Sequence, residues 1–222
     1  MNQPSRTDRT GRRTRGRPTN AEAARLDTDV REAALTLFLD HGYDGTSMGA
    51  VAAAAGTTKA SLYTRFPSKD AVFSSVLEWA MQRPDWPVAE PPPPDLDDLE
   101  SALVAIAEAA VRRALHPDMI KLARIGVGHA ARFPELARKT AATAFWPRKH
   151  LVVAVLERHV ERGSIEADEP DVLAEHFLGM VAAAPARQAS FGIVRSPEDQ
   201  VRHTRSAVRL FLRSLRPDGR TG

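Results

Sequence analysis

Apolar residues recur every three or four positions along almost the whole chain, and no stretch alternates convincingly with a period of two. That spacing puts them on one side of a helix, so the pattern predicts an all-α fold. Leu26, Val30, Ala33, Ala34, Leu37 and Phe38 make the first stripe. Thr19 and Glu22 form a capping box ahead of it, and Gly42 ends it just past His41. Thr46 or Ser47 is expected to cap a short second helix that turns Val51, Ala52 and Ala55 inward. Gly56 follows, where a left-handed turn is needed that glycine adopts most cheaply. Thr57 or Thr58 caps a third helix, with Leu62 pointing back at Ala52. Phe66-Pro67 stops it, because the residue before proline avoids the helical region. Ser68 caps a fourth helix to about Gln82, with Asp70 in its first turn and Val72, Phe73, Val76, Leu77 and Trp79 available to bury. Tyr43 and Met48 are expected to seal this small core.

Prolines punctuate the rest. Residues 83–94 carry four successive prolines and predict a stiff spacer, a proline-rich partner motif being the sharper alternative. Helical spacing resumes from Asp95, with Leu96, Leu99, Leu103, Ile106 and Ala110 in one stripe to about Leu115. Pro117 opens a helix to about Phe133, Pro134 a shorter piece, and Pro147 a helix to Gly163. Pro170 begins another, in which Pro185 predicts a kink or stop. Pro197 begins the last, and residues beyond Arg216 should fray. The expected organisation is a disordered basic arm at 1–18, a unit of short helices at 19–83, a linker at 84–94 and a larger helical domain at 95–222.

A small residue, a glycine four positions on and an apolar residue six further on (Ala52, Gly56 and Leu62) match a helix-turn-helix, whose second helix enters the major groove. Its outward positions, Thr57, Thr58, Lys59, Ala60 and Ser61, are small or basic, and no acid interrupts them. Tyr63, Thr64, Arg65 and Lys69 add hydroxyls and cations at the far end, and Thr46 and Ser47 lie at the start of the preceding helix. Small side chains admit a helix deep into the groove, while hydroxyls and cations suit phosphate oxygens. The plainer alternative is an ordinary helical hairpin. In the arm, six arginines are opposed by Asp8 alone, and Arg15-Gly16-Arg17-Pro18 resembles the core of an AT-hook. Such a strip lies in the narrow minor groove of A·T-rich DNA; a solvated basic tail that adds only non-specific affinity is the alternative.

Composition narrows the class. In 222 residues, 43% are apolar, enough for a packed core. There is no cysteine, which excludes disulfides and thiolate metal sites. No apolar run is long enough to cross a bilayer and no leader-like stretch is present, so a soluble cytoplasmic protein is expected. The net charge of +3 is small, so its distribution matters more than its sum. His116, His129, His150, His159 and His176 lack metal-ligand spacing, and neither a nucleophile motif nor a glycine-rich phosphate loop is present. Neither catalysis nor a cofactor is expected.

The run from Gly42 to Met48 and the run Leu62-Tyr-Thr-Arg-Phe-Pro-Ser-Lys-Asp-Ala-Val-Phe73 are similar to the N-terminal domain of TetR-family transcriptional regulators, a resemblance covering roughly residues 26–79. Arg132-Phe-Pro-Glu-Leu-Ala137 and Phe177-Leu-Gly-Met180 are similar to the AefR-like C-terminal domain. The resemblance implies that the fourth helix joins the DNA-binding unit to a ligand domain. It implies a homodimer through the last two long helices, for which Leu173, Phe177, Val181, Val201, Val208, Phe211 and Leu212 are candidates. Reading a two-fold operator also needs two such helices about 34 Å apart, hence two chains. It further implies a pocket for a hydrophobic effector, with Met119, Leu122, Ile125, His129, Phe133, Phe145, Trp146, His150, Phe177 and Met180 as candidates; ordinary core packing is the plainer role for each. The expectation is a ligand-responsive dimeric repressor released from a palindromic operator. An architectural protein that coats A·T-rich DNA without an effector is the alternative.

Overall fold

A computed structural model describes residues 20–83, 85–138 and 148–215, and among these every regular element is a helix. In α1 (Asn20–Gly45), Gly42 takes φ 70 and ψ 179, so regular helix stops at the glycine and a further turn carries the chain to Thr46. Helix α2 (Met48–Ala54) starts at Ser47, whose hydroxyl accepts from Ala50 N. Gly56, at φ 61, turns the chain. Helix α3 (Lys59–Arg65) starts at Thr58, whose hydroxyl accepts from Ser61 N, and α4 (Lys69–Gln82) starts at Ser68. Of the capping choices left open, the chain uses Ser47 and Thr58.

Helix α5 (Leu99–Ala114) begins later than the first apolar residue of its stripe, because Asp98 is the N-cap and its carboxylate accepts from Ser101 N at 3.0 Å. Helix α6 (Pro117–Gly128) ends at the His129 cap rather than at Phe133, and a helical stretch follows at 134–138. Next come α7 (Lys149–Glu161) and α8 (Pro170–Leu178). A π-helical segment (Gly179–Ala183) then leads into α9 (Ala184–Ser190), and α10 (Pro197–Ser214) closes the described chain. Pro185 therefore does not stop the helical run. It has no N–H for the helical ladder, and the wider turn ahead of it, closed by Ala184 N donating to Gly179 O, carries the run past it to Ser190.

Two cores result. One joins α1 to α4 through Val30, Phe38, Tyr43, Leu62 and Phe73, and it also takes in Met119, Leu122 and Leu136. The first core thus continues beyond the proline-rich segment, because α6 lies against α1. The second gathers Leu103, Ile106, Val155, Leu156, Phe177, Val208 and Phe211. Each such buried side chain stabilises by roughly 1.5–3 kcal/mol. Arg113 of α5 links the two halves: although buried, it donates to Arg83 O at 2.8 Å and to Met81 O at 3.3 Å, the carbonyls at the end of α4.

Candidate nucleic-acid interface

The outward surface of α3 follows from its buried anchor. Leu62 is fully buried, so the residues around it on the helix face away from the core. Thr58, Lys59, Ala60, Tyr63 and Thr64 are exposed, while Thr57 and Ser61 are half-buried. Tyr63 keeps 49% of its surface open. Thr64 donates its hydroxyl to Ala60 O at 2.9 Å, leaving the oxygen's lone pairs outward. Helix α2 carries a feature that the sequence pattern did not single out. A Cβ at Gly49 would sit 2.6 Å from Lys59 Cε and 3.1 Å from Lys59 Nζ, so this glycine makes room for the lysine stem to lie across α2.

Three of the polar residues expected at the DNA are instead bound within the fold. Thr46 is 2% exposed, and its hydroxyl donates to Gly42 O at 2.8 Å and to Leu37 O at 3.1 Å, so it anchors the α1–α2 corner and corrects its assignment to the interface. Arg65 bonds Asp27 and donates to Ala23 O at 3.0 Å, fastening α3 to α1. Lys69 donates to Tyr43 O at 2.9 Å and to Thr46 O at 3.0 Å, with its ammonium 4.3 Å from the centre of the Tyr43 ring. Arg15 and Arg17 lie outside the described residues. Nothing local to the sequence signals the Asp27 pairing, since the partners stand 38 residues apart.

Below the reading helices lies a polar-aromatic junction. The Tyr43 hydroxyl donates to Asp70, and Arg132 donates to both Asp70 oxygens at 3.0 and 3.2 Å. The Arg132 guanidinium is 5.0 Å from the Tyr43 ring centre and 5.4 Å from that of Phe133. Burial, and then the bond to Asp70, push the Tyr43 hydroxyl up to about 12. The same bond, followed by that from Arg132, holds the Asp70 carboxyl below its ordinary value. His129 stands 4.8 Å from the Tyr43 ring with Nε2 3.7 Å from the Asp44 carboxylate, and Phe133 lies 5.4 Å from Phe73.

This placement disperses the expected pocket. Met119, Leu122, Ile125, His129 and Phe133 pack against the first core. Phe177 and Met180 belong to the second, and Phe145 and Trp146 lie outside the described residues. His150 alone among the described candidates lines a cleft of about 460 Å³, walled by the proline-rich segment, α5 and the start of α7. The expected dimer contacts fall into two sets. Phe177, Val181, Val208 and Phe211 are buried in the chain's own core, and Leu173 and Leu212 are half-buried against it; Val201 is open, at 47%.

With this geometry in view, comparison with known proteins places the chain. Residues 30–76 match the family model of the bacterial tetR-family regulatory proteins. Residues 101–216 match that of the C-terminal domain of AefR-like transcriptional repressors. The chain belongs to the TetR family of helix-turn-helix, DNA-binding transcriptional regulators, with an AefR-like C-terminal domain. It is similar to the HTH-type transcriptional regulator Rv1556 of Mycobacterium tuberculosis, 30% identical over 181 residues that cover 79% of this chain and 85% of that protein. Among solved structures, it superposes on a TetR-family transcriptional regulator from Mesorhizobium loti with TM-score 0.71 and 27% identity, covering 90% of this chain and all of the other. It superposes equally on the flavonoid-responsive regulator FrrA, with TM-score 0.71 and 29% identity over 88% of this chain and all of FrrA. No helix among the described residues is long and apolar enough to cross a membrane.

Proposed function

We propose that the chain acts as a homodimeric repressor, released from a palindromic operator by a hydrophobic small molecule held in its C-terminal domain. The outward face of α3 carries this reading: it is small, hydroxylic and basic, free of acids, and held by a fully buried Leu62. Two copies about 34 Å apart would occupy successive major grooves on one side of the duplex. Thr57, Thr58, Lys59, Ala60 and Ser61 would meet base edges and nearby phosphates, and Ser47, Tyr63 and Thr64 the backbone. Thr46, Arg65 and Lys69 would act indirectly by holding the reading unit in shape. Arg15 and Arg17 would follow the minor groove beside an A·T-rich site.

Repression is supported by the AefR-like repressor domain that residues 101–216 match, and response to a small molecule by the flavonoid-responsive relative. Release needs an effector with different affinity for the DNA-bound and free states. The protein would work in the cytoplasm, where its operator is, and without catalysis. Selection of bound fragments from random duplex DNA, followed by footprinting, tests this reading. A short two-fold site supports it. Protection spreading along A·T-rich DNA favours an architectural protein, and a monomer that ignores every duplex at low ionic strength ends both.

A further inference from the structure

The cleft between the proline-rich segment, α5 and the start of α7 has a chemistry that the repressor reading does not assign. Its walls are apolar where Pro91, Pro94, Ile106 and Leu151 line it, and its volume, about 460 Å³, lies within the range of small-molecule sites. At one end lies Arg148, only 5% exposed. Its Nη2 is 2.7 Å from a Glu90 carboxylate oxygen, and its Nη1, buried, has no hydrogen-bond partner among the described residues. A guanidinium keeps its charge at any physiological pH and offers its donors in a fixed fork, so one side of this fork lacks an acceptor. Arg112 lines the same cleft, and buried Arg113 is close enough for its charge and that of Arg148 to repel. Around this end three guanidinium groups (Arg112, Arg113 and Arg148) face two carboxylates, Glu90 and Glu108, while Asp85 is paired with Arg83. Burial, and then the neighbouring arginine, hold Arg113 below its ordinary value; burial does the same to Arg148, which Glu90 offsets in part. The first turn of α7 opens here too, and its N-cap, Arg148, gives no side-chain cap, so the positive end of the helix faces the same space.

We propose that this cleft binds a carboxylate with an apolar body, the carboxylate meeting exposed Arg112 and drawing the incompletely bonded Arg148 guanidinium toward it, and the body lying between the prolines and α5. This deepens the small-molecule part of the repressor reading and rests on it only for its consequence. That consequence runs through Arg113, which holds the last carbonyls of α4. An anion beside Arg148 relieves the repulsion on Arg113 and so alters the grip on the helix that carries the DNA-binding unit.

Calorimetric titration of the full chain tests the proposal with two matched pairs, decanoate against decan-1-ol and 2-naphthoate against 2-naphthalenemethanol. In at least one pair the acid is expected to bind about tenfold or more tighter than its alcohol, the effect of one charge-assisted contact. Arg112→Gln, an exposed position, should narrow that ratio severalfold. Glu90→Gln, which weakens the competing anion, should widen it. Arg148→Met, checked for folding by circular dichroism, should abolish it while leaving alcohol binding in place. Equal binding of acid and alcohol in both pairs, no binding of either acid, or a preference unchanged in both the Arg112 and Arg148 variants would overturn the site. Operator binding, read by fluorescence anisotropy on the same samples, separates the two claims. Acid preference without operator binding sinks the repressor alone; operator binding without acid preference sinks the carboxylate site alone.

Discussion

Gly49 has an effect out of proportion to its size. It is the position over which Lys59 extends, and a methyl group there would press on the far end of that flexible side chain and touch the Ser47 hydroxyl only at ordinary contact distance, 3.8 Å. Gly49→Ala should therefore leave the fold intact and, in the first turn of α2, raise its stability by at most about 0.5–1 kcal/mol, the gain of alanine over glycine in a helix interior. It should also displace the Lys59 ammonium and lower operator affinity. A higher melting temperature with weaker binding is the expected pair of results, and unchanged affinity would take Lys59 out of the contact. Thr46 makes the opposite case. Its hydroxyl is buried and bonded to two carbonyls, so Thr46→Val should cost about 1 kcal/mol of stability while the folded fraction binds DNA as before, measured by melting and anisotropy together. The sequence could place Thr46 and Ser47 side by side at a helix start but could not choose between them. That choice depends on the turn after Gly42, which points one hydroxyl into the α1–α2 corner and leaves the other at the cap.

At the scale of elements, the helices were readable because their signals are local. Glycine at φ 61 after α2, a hydroxyl before α3 and α4, and proline at the start of α6, α8 and α10 all act within a turn of where they stand. What the spacing could not give is which helix a stripe faces. The bulky residues of α6 were open to either role in the sequence, pocket lining or core, and Met119 and Leu122 complete the core of the DNA-binding unit. The contact is fastened where Arg132 meets Asp70 and Tyr43. Asp70 has a depressed pKa in the fold, so its contribution is complete above the ordinary carboxyl value of 3.8 and is lost as pH falls through the folded value. Asp70→Asn should accordingly destabilise the protein at neutral pH, and the gap from the parent should close as the pH is lowered below about 4. A gap that stays constant from neutral to acid, in urea melts across that range, would mean the Asp70 charge contributes nothing to the junction.

For the whole molecule, the proposed homodimer raises the question of where a second copy would sit. Phe177 and Phe211 meet at 4.9 Å within one chain, and Val181 and Val208 are closed off beside them. The apolar stripes of the last helices are wide enough in sequence to serve a core and a partner at once, and only the packed chain shows that the core takes these four. The face of α10 turned away from that core carries exposed Arg205, Arg209 and Arg213, besides Arg202, which pairs with Asp199 at 2.7 Å. A face so basic would repel its own copy at close range. The apolar groups left open on α10 are Val201, 47% exposed, and Leu210, 60% exposed. Nine residues apart at about 100° each, they stand half a turn from one another, one on each edge of the buried face. A two-fold interface through this helix would use one of these edges; Val172 of α8 is a further open apolar group. Val201→Glu combined with Leu210→Glu should thus give a folded monomer by light scattering, with operator affinity reduced about 100-fold or more as the second reading helix ceases to be tethered. The single variants then identify the edge. Val208→Glu, a charge forced into the core, should unfold the chain instead of splitting the dimer. If the double variant remains dimeric, the interface does not run through these edges of α10, and the surface around Phe191, Ile193 and Val194, which also carries open apolar side chains, is the next to test.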